Sequence, residues 1–362
     1  MRSSSGAYFI ALDQIRALAV FLVIAWHFTH GTTGAPVPFD YVPSVIPFAL
    51  LDEGHTGVAL FMTLSGYLFA KLLDGKPVNY GRFIRNRLLR LVPLLAVALV
   101  LVGIQRIARG EQSLAVYAWV VALGPLLPTW PNGAWSVTVE FHFYVLLPML
   151  LWMMRRSPLL PLVVLAAAIA LRAVLLSKQG EVQFLAYWTI VGRIDQFVLG
   201  MLAWRARAWF ARRHLLSLTV LAAFLAFYWD FDRAGGFYQN GGFSPSPLWI
   251  LLPTVEGAAY AIAIAWYDNS FAHRTTGVSR FIGRIGEYSY SIYLLHFFAV
   301  FGASSFVHQH VMDISNFYLA CLWALGFLLL MMPVGYLSFR FVESPFLRLR
   351  KPYVIAASPV AA

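Results

Sequence analysis

The stretch LDQIRALAVFLVIAWHF, residues 12–28, is apolar enough to lie in a bilayer yet carries two ionisable side chains, Arg16 and His27. Eleven residues at ~100° each make close to three turns of α-helix, so the two project from one face. At ~1.5 Å of rise per residue they stand about 16 Å apart, roughly half the hydrocarbon thickness of a bilayer. Ionisable groups at membrane depth are costly and persist where they face a protein interior or a water-filled path. A membrane enzyme or a transporter is therefore the first expectation.

The rest of the chain agrees with that class. Of 362 residues 60% are hydrophobic and only 12% charged, against about 25% charged in a soluble domain. Apolar runs lie near 15–30, 57–73, 88–104, 114–128, 135–154, 158–176, 184–204, 214–230, 248–266, 288–306 and 317–339. This predicts an all-α polytopic membrane protein, a single membrane domain over 1–355 with a disordered tail at 356–362. The run following MRSSSGAYFIALDQIR has no small-residue cleavage site after it and is expected to be retained as a helix. The net charge of +11 sits at helix ends, which fits anchoring at a cytoplasmic lipid surface and gives no reason to expect nucleic acid. Cys321 is the single cysteine, in an apolar run, so no intramolecular disulfide or zinc cluster is expected.

Loop charge predicts the topology. The segments 71–90, 205–213, 267–287 and 340–351 are rich in Lys and Arg and are placed inside, whereas 31–56, 231–247 and 307–316 hold Arg233 alone. These assignments agree only if one of the two runs between 88 and 128 does not cross. The run 114–128 is the shorter and ends in the breaker-rich GPLLPTWPNG (124–133), so it is expected to be interfacial or re-entrant. About ten crossings with both termini inside follow, with 20 Lys/Arg inside and 4 outside.

Several residues then become candidates. His27 is a general-base candidate, because an imidazole titrates near neutral pH. In RFIRNRLLRLVP (82–93), Arg82 and Arg85 are explained by anchoring, while Arg87 and Arg90 are neighbours on one helix face, suited to holding phosphate. Glu140, in NGAWSVTVEFHFYVLLP (132–148), shares a face with Ser136 and Tyr144 and is expected at a depth where it could pair with His27 or with an arginine such as Arg172. Ser65-Gly66 in the second helix points to close helix packing. Tyr293 and His296 are three apart and could line the same cavity. Arg193 and Asp195 suggest an ion pair, and Glu343 an arginine partner or a cap.

These segments together resemble the membrane acyltransferase-3 family of bacterial sugar O-acyltransferases over nearly the full length. The likeness rests on LDQIRALAVFLVIAWH (12–27), GVALFMTLSGYL (57–68), RFIRNRLLRLVP (82–93), WSVTVEFHFYVLLP (135–148), GRIDQFVLG (192–200), YSYSIYLLH (288–296) and RFVESPF (340–346). The resemblance implies acyl transfer, often of acetyl from acetyl-CoA, to a glycan or glycoside hydroxyl at the bacterial inner membrane. Its Arg-x10-His signature falls on Arg16 and His27, and His27 is then the implied base. Its Arg-x-x-Arg motif falls best on Arg87 and Arg90, with Arg85 beside them, implying contact with the acyl donor. Its Trp-Ser-x-x-x-Glu stretch falls on Trp135, Ser136 and Glu140. Phe141-His142 departs from the family's frequent second acidic residue and Gln. Some members carry an added extracytoplasmic esterase-like domain, for which this sequence has no room, so a stand-alone transferase is expected.

The implied site comprises His27, Glu140 and Arg16 for catalysis, Arg87, Arg90 and Arg85 for acyl-CoA, and Ser136, Trp135, Tyr293 and His296 around the cavity. Acyl-CoA is expected as a co-substrate, with no resident cofactor or metal, and a homodimer or glycan-assembly partner is left open. A transporter or flippase using His27, Glu140 and Arg16 as a charge relay is the rival class. Against it stand the paired arginines at the cytoplasmic edge and the absence of evident repeated halves in the sequence.

Overall fold

A computed structural model describes residues 8–31, 35–239 and 242–355. The tail at 356–362, expected to be disordered, lies outside the described residues. The described chain is almost wholly helical, with one short antiparallel ladder pairing Tyr238–Gln239 with Gly242–Phe243.

The major helices, in chain order, are α1 (Ile10–Thr29), α2 (Thr56–Leu73), α3 (Tyr80–Ala108), α4 (Leu114–Leu123), α5 (Trp135–Arg156), α6 (Leu160–Gln179), α7 (Ile190–Arg205), α8 (His214–Arg233), α9 (Leu252–Ser270), α10 (Gly277–Glu287), α11 (Ser289–Leu295), α12 (Val300–Phe306) and α13 (Phe317–Ser338). Polar caps set several starts. The side chains of Asn79, Ser113 and Asn316 accept the backbone N–H groups of Arg82, Val116 and Leu319.

Among the described residues, seven helices are long and apolar enough to cross a bilayer. An eighth span forms if Ser289–Phe298 and Val300–Val311, which meet at 59°, are one broken crossing. The sequence predicts ten. The difference falls on α7, which is only 16 residues long and carries Arg193 and Asp195, and on α9, which carries Glu256 and Asp268. At ten residues, about 15 Å, α4 is too short to cross, as expected for the run 114–128.

The helices form a bundle around α1 and α2. Their apolar windows are each 78% buried, against 17% for α6 and 22% for α8, which therefore form the lipid-facing rim. Backbone contact holds the centre. Gly66 of α2 lies against the Phe197 carbonyl of α7, and Gly200 of α7 against the Thr63 carbonyl of α2, with no room for a Cβ at either. Such close approach needs residues without side chains.

A buried polar network ties this centre to the rim. Arg172 of α6 pairs with Asp195 of α7 at 2.6 Å, both side chains fully buried. Glu256 of α9 accepts from Thr56 at 2.7 Å, Tyr228 at 2.8 Å and Gln196 at 3.0 Å, with Arg193 at 3.6 Å. Arg193 and Asp195 thus do not pair with each other. Two residues apart on a helix, they point to different neighbours.

Candidate active site

Two cavities open between the central helices. The first is basic, with Arg16, Arg87, Arg90 and Arg350 on its wall beside Glu140 and Ser136. The second is aromatic and contains His27, walled by Trp26, Trp135, Tyr187, Trp188 and Phe297 among others. Val58 and Tyr293 line both, so they form the partition between them. The Tyr293 hydroxyl is fixed there by donating to the Gly133 carbonyl at 3.1 Å.

In the aromatic cavity the tautomer of His27 follows from its neighbours. His296 Nδ1 lies 2.7 Å from the Tyr293 carbonyl, which can only accept, so that nitrogen carries the proton and His296 Nε2 is left as an acceptor. His27 Nδ1 lies 2.7 Å from the Val23 carbonyl and 3.4 Å from His296 Nε2. Two acceptors facing Nδ1 hold a proton on it, and the lone pair of a neutral imidazole is then on Nε2. An imidazole so arranged can take a proton from a hydroxyl in the cavity. The break between α11 and α12 makes this possible, because the turn His296–Phe298 carries His296 and Phe297 toward α1. The His27 and Phe297 ring centroids are 4.5 Å apart.

In the basic cavity some cations are neutralised and some are not. Arg16 donates to Asp13 at 2.5 Å, and Arg90 pairs with buried Glu343, which also accepts from Ser291. Arg87 lies over the rings of Phe69 at 5.2 Å and Phe83 at 5.6 Å, and its Nε is buried without a hydrogen-bond partner. Burial, with the neighbouring charges of Arg87 and Arg90, lowers the pKa of Arg350 from its ordinary value. Crowded guanidinium groups with an unused donor form a surface that favours an anion.

The structure brings together some of the expected residues and separates others. Arg87 and Arg90 share a cavity with Arg16, Glu140, Ser136 and Tyr293. Trp135 and His27 lie in the other, and His296 bonds to His27. Glu140 does not pair with His27. It accepts from the Tyr144 hydroxyl one turn along α5 and faces the arginines. Arg16 and His27 share a helix face, but the partition at Val58 and Tyr293 puts them in different cavities. Arg85 is exposed and lines neither cavity, because its place in the turn directs it away from Arg87. Arg350 takes a place on the wall that the sequence reading did not assign. His55, Tyr187, Trp188 and Phe237 were also not foreseen. His55 and Phe237 come from connections between helices, and Tyr187 and Trp188 from a six-residue helix, Gln183–Trp188, too short for a helical period to mark its face.

Comparison with known proteins bears on the chemistry. Over 307 residues the chain is 26% identical to a protein of Komagataeibacter xylinus provisionally named membrane-bound transacylase BcsY, covering 79% of this chain and 71% of that one. It is 23% identical over 392 aligned positions to a provisionally named O-acetyltransferase of Staphylococcus aureus, covering 94% of this chain and 57% of that one. The chain thus spans somewhat more than half the length of this staphylococcal relative. The peptidoglycan O-acetyltransferase OatA of Listeria monocytogenes is 26% identical over 170 residues, 40% of this chain and 24% of its own. No solved structure matches the chain. The acyltransferase domain family matches residues 9–340, and a multi-pass helical chain matched over that span belongs to this family and is a membrane-bound O-acyltransferase.

Proposed function

We propose that the chain transfers an acetyl group from acetyl-CoA, held in the basic cavity, to a hydroxyl of an exported or cell-envelope glycan in the aromatic cavity, with His27 as general base. One observation carries this reading: an anion-seeking cavity and an imidazole-bearing cavity meet at a partition of two side chains, Val58 and Tyr293. Arg87 and Arg350 would hold the CoA phosphates, and the thioester would reach past Tyr293. His27 Nε2 takes the acceptor's hydroxyl proton as that oxygen bonds to the thioester carbonyl carbon. The C–S bond then breaks, and the departing sulfur takes the proton from the imidazolium.

In this reading the protein lies in the bacterial inner membrane with the basic cavity facing the cytoplasm, where acyl-CoA is made. It requires α7 and α9 to cross as well, giving ten crossings with both termini inside. The glycan acceptor is supported by the name of the Listeria relative, an O-acetyltransferase of peptidoglycan.

The first test is mass spectrometry of cell glycans in a deletion strain complemented with wild type or His27→Ala. A specific ester restored by wild type and not by an equally expressed mutant is the expected result. Glycans that keep every ester but fall in amount at the cell surface would replace acyl transfer with transport. A second test addresses the donor. Arg87→Ala should raise KM for acetyl-CoA by about tenfold, equivalent to ~1.4 kcal/mol, with the thermal midpoint unchanged. An unchanged dependence on acetyl-CoA concentration would remove Arg87 from the donor site.

A further inference from the structure

The aromatic cavity also carries information about what it can hold. Its volume, about 320 Å³, falls in the range of small-ligand sites. Trp26, Trp135, Trp188, Tyr187, Tyr238 and Phe237 line it, so aromatic rings make up much of its wall. No Asp, Glu, Lys or Arg side chain lines it among the described residues. Its polar side-chain groups come from His27, His55, Asn132, the tyrosine hydroxyls and the tryptophan indole N–H groups. A pyranose ring matches such a wall, having apolar C–H faces for stacking and hydroxyls around its edge.

The charges behind the wall are unevenly signed. Glu53 lies 2.8 Å from His55 Nε2, and its other oxygen accepts the Phe237 N–H at 3.0 Å, so this carboxylate sits directly behind two wall residues. Asp52 adjoins Glu53, lies 3.0 Å from His30 and shares a hydrogen bond with Asp232. On the other flank, Arg193 lies 4.1 Å from the Tyr187 ring centroid but is matched by Glu256. Arg233 stacks on Trp229 at the exposed end of α8. An anionic sugar entering here would lose water, meet no cation of its own and face the Glu53 carboxylate directly behind the wall.

We infer that the aromatic cavity selects a neutral glycoside as acceptor and rejects uronic, sialic and phosphate-bearing sugars. This rests on the acyl-transfer reading only for the word acceptor, since the binding preference itself belongs to the cavity. Rejection by a carboxylate-backed wall is selection by repulsion, added to the stacking that attracts the ring.

The test uses purified full-length protein in nanodiscs of zwitterionic lipid and a matched pair of probes, p-nitrophenyl β-glucoside and p-nitrophenyl β-glucuronide, which differ at C6. Binding is read without acyl donor by saturation-transfer NMR titration. The glucoside should bind about tenfold more tightly than the glucuronide. Trp188→Ala should weaken the glucoside by several-fold, the loss of about one stacked ring. Glu53→Gln, which keeps an acceptor for the Phe237 N–H, should narrow the preference by raising glucuronide affinity. Equal or tighter glucuronide binding, no binding of either probe, or a preference indifferent to Glu53→Gln would overturn the inference. Selective glucoside binding by a protein that acetylates no glycan would instead sink the acyl-transfer reading and leave the cavity assignment standing.

Discussion

His27 is set by a residue 269 positions away. His296 places its Nε2 acceptor beside His27 Nδ1 and is itself pinned by the Tyr293 carbonyl. In the proposed mechanism this makes His296 a positioning residue, acting on the tautomer of His27. His296→Ala should lower kcat by about tenfold and leave KM for acetyl-CoA unchanged, whereas His27→Ala should cost the ~10²–10⁴ of a lost general base. His296→Gln, whose side-chain oxygen can accept from His27 Nδ1, should recover part of the loss. Steady-state kinetics in detergent would decide, and a His296→Gln enzyme as slow as His296→Ala would show that acceptance of that proton is not what His296 supplies. The sequence exposes the types of these residues, since an imidazole in an apolar run is conspicuous at position 27 and again at 296. It does not expose their pairing, nor that Glu140 turns to Tyr144 and the arginines, because both depend on how α1, α5 and α11 rotate against one another. Arg350 was hidden for a related reason. In a basic segment at a helix end, anchoring explains an arginine equally well.

At the scale of elements, the helices follow from the sequence because bilayer thickness fixes their length and caps such as Asn79, Ser113 and Asn316 mark several starts. The elements that could not be read are those that break the pattern: α7, shortened and charged, and the α11–α12 pair, bent where His296 needs to sit. α7 is held by exchange of partners between helices. Asp195 pairs with Arg172 of α6 and accepts from Thr254 of α9, while Arg193 lies beside Glu256. Removing one member of a fully buried pair strands the other, at a cost of about 3–5 kcal/mol, while removing both with apolar residues is often near neutral. Arg172→Leu alone should therefore lower the thermal midpoint sharply or abolish expression. Adding Asp195→Leu should restore most of the stability, read by thermal unfolding in detergent. Tolerance of Arg172→Leu by itself would mean that Asp195 is satisfied without the pair.

At the scale of the molecule, the two-cavity arrangement gives acyl transfer a direction only if the bundle is oriented as its charge predicts. The orientation has a physical basis in the 20 basic residues assigned to one side against 4 on the other. Cysteine accessibility can examine it directly, because the chain's one cysteine, Cys321, is buried and gives little background. Ser113, Asp313, Arg274 and Arg348 are all exposed, and the charge-based topology assigns the first two to the outside and the last two to the inside. Single replacements Ser113→Cys and Asp313→Cys should react with a membrane-impermeant maleimide on intact spheroplasts, whereas Arg274→Cys and Arg348→Cys should react only after permeabilisation. The inverse pattern would put the arginine cavity on the outside, away from cytoplasmic acyl-CoA. A split between Ser113 and Asp313 would mean an odd number of crossings from α5 to α12, hence that α7, α9 or the bent α11–α12 pair turns back within the membrane. Either result would leave the geometry of His27 intact but would require the donor and the acceptor to meet from a different side, so the orientation is the condition on which transfer across the membrane depends.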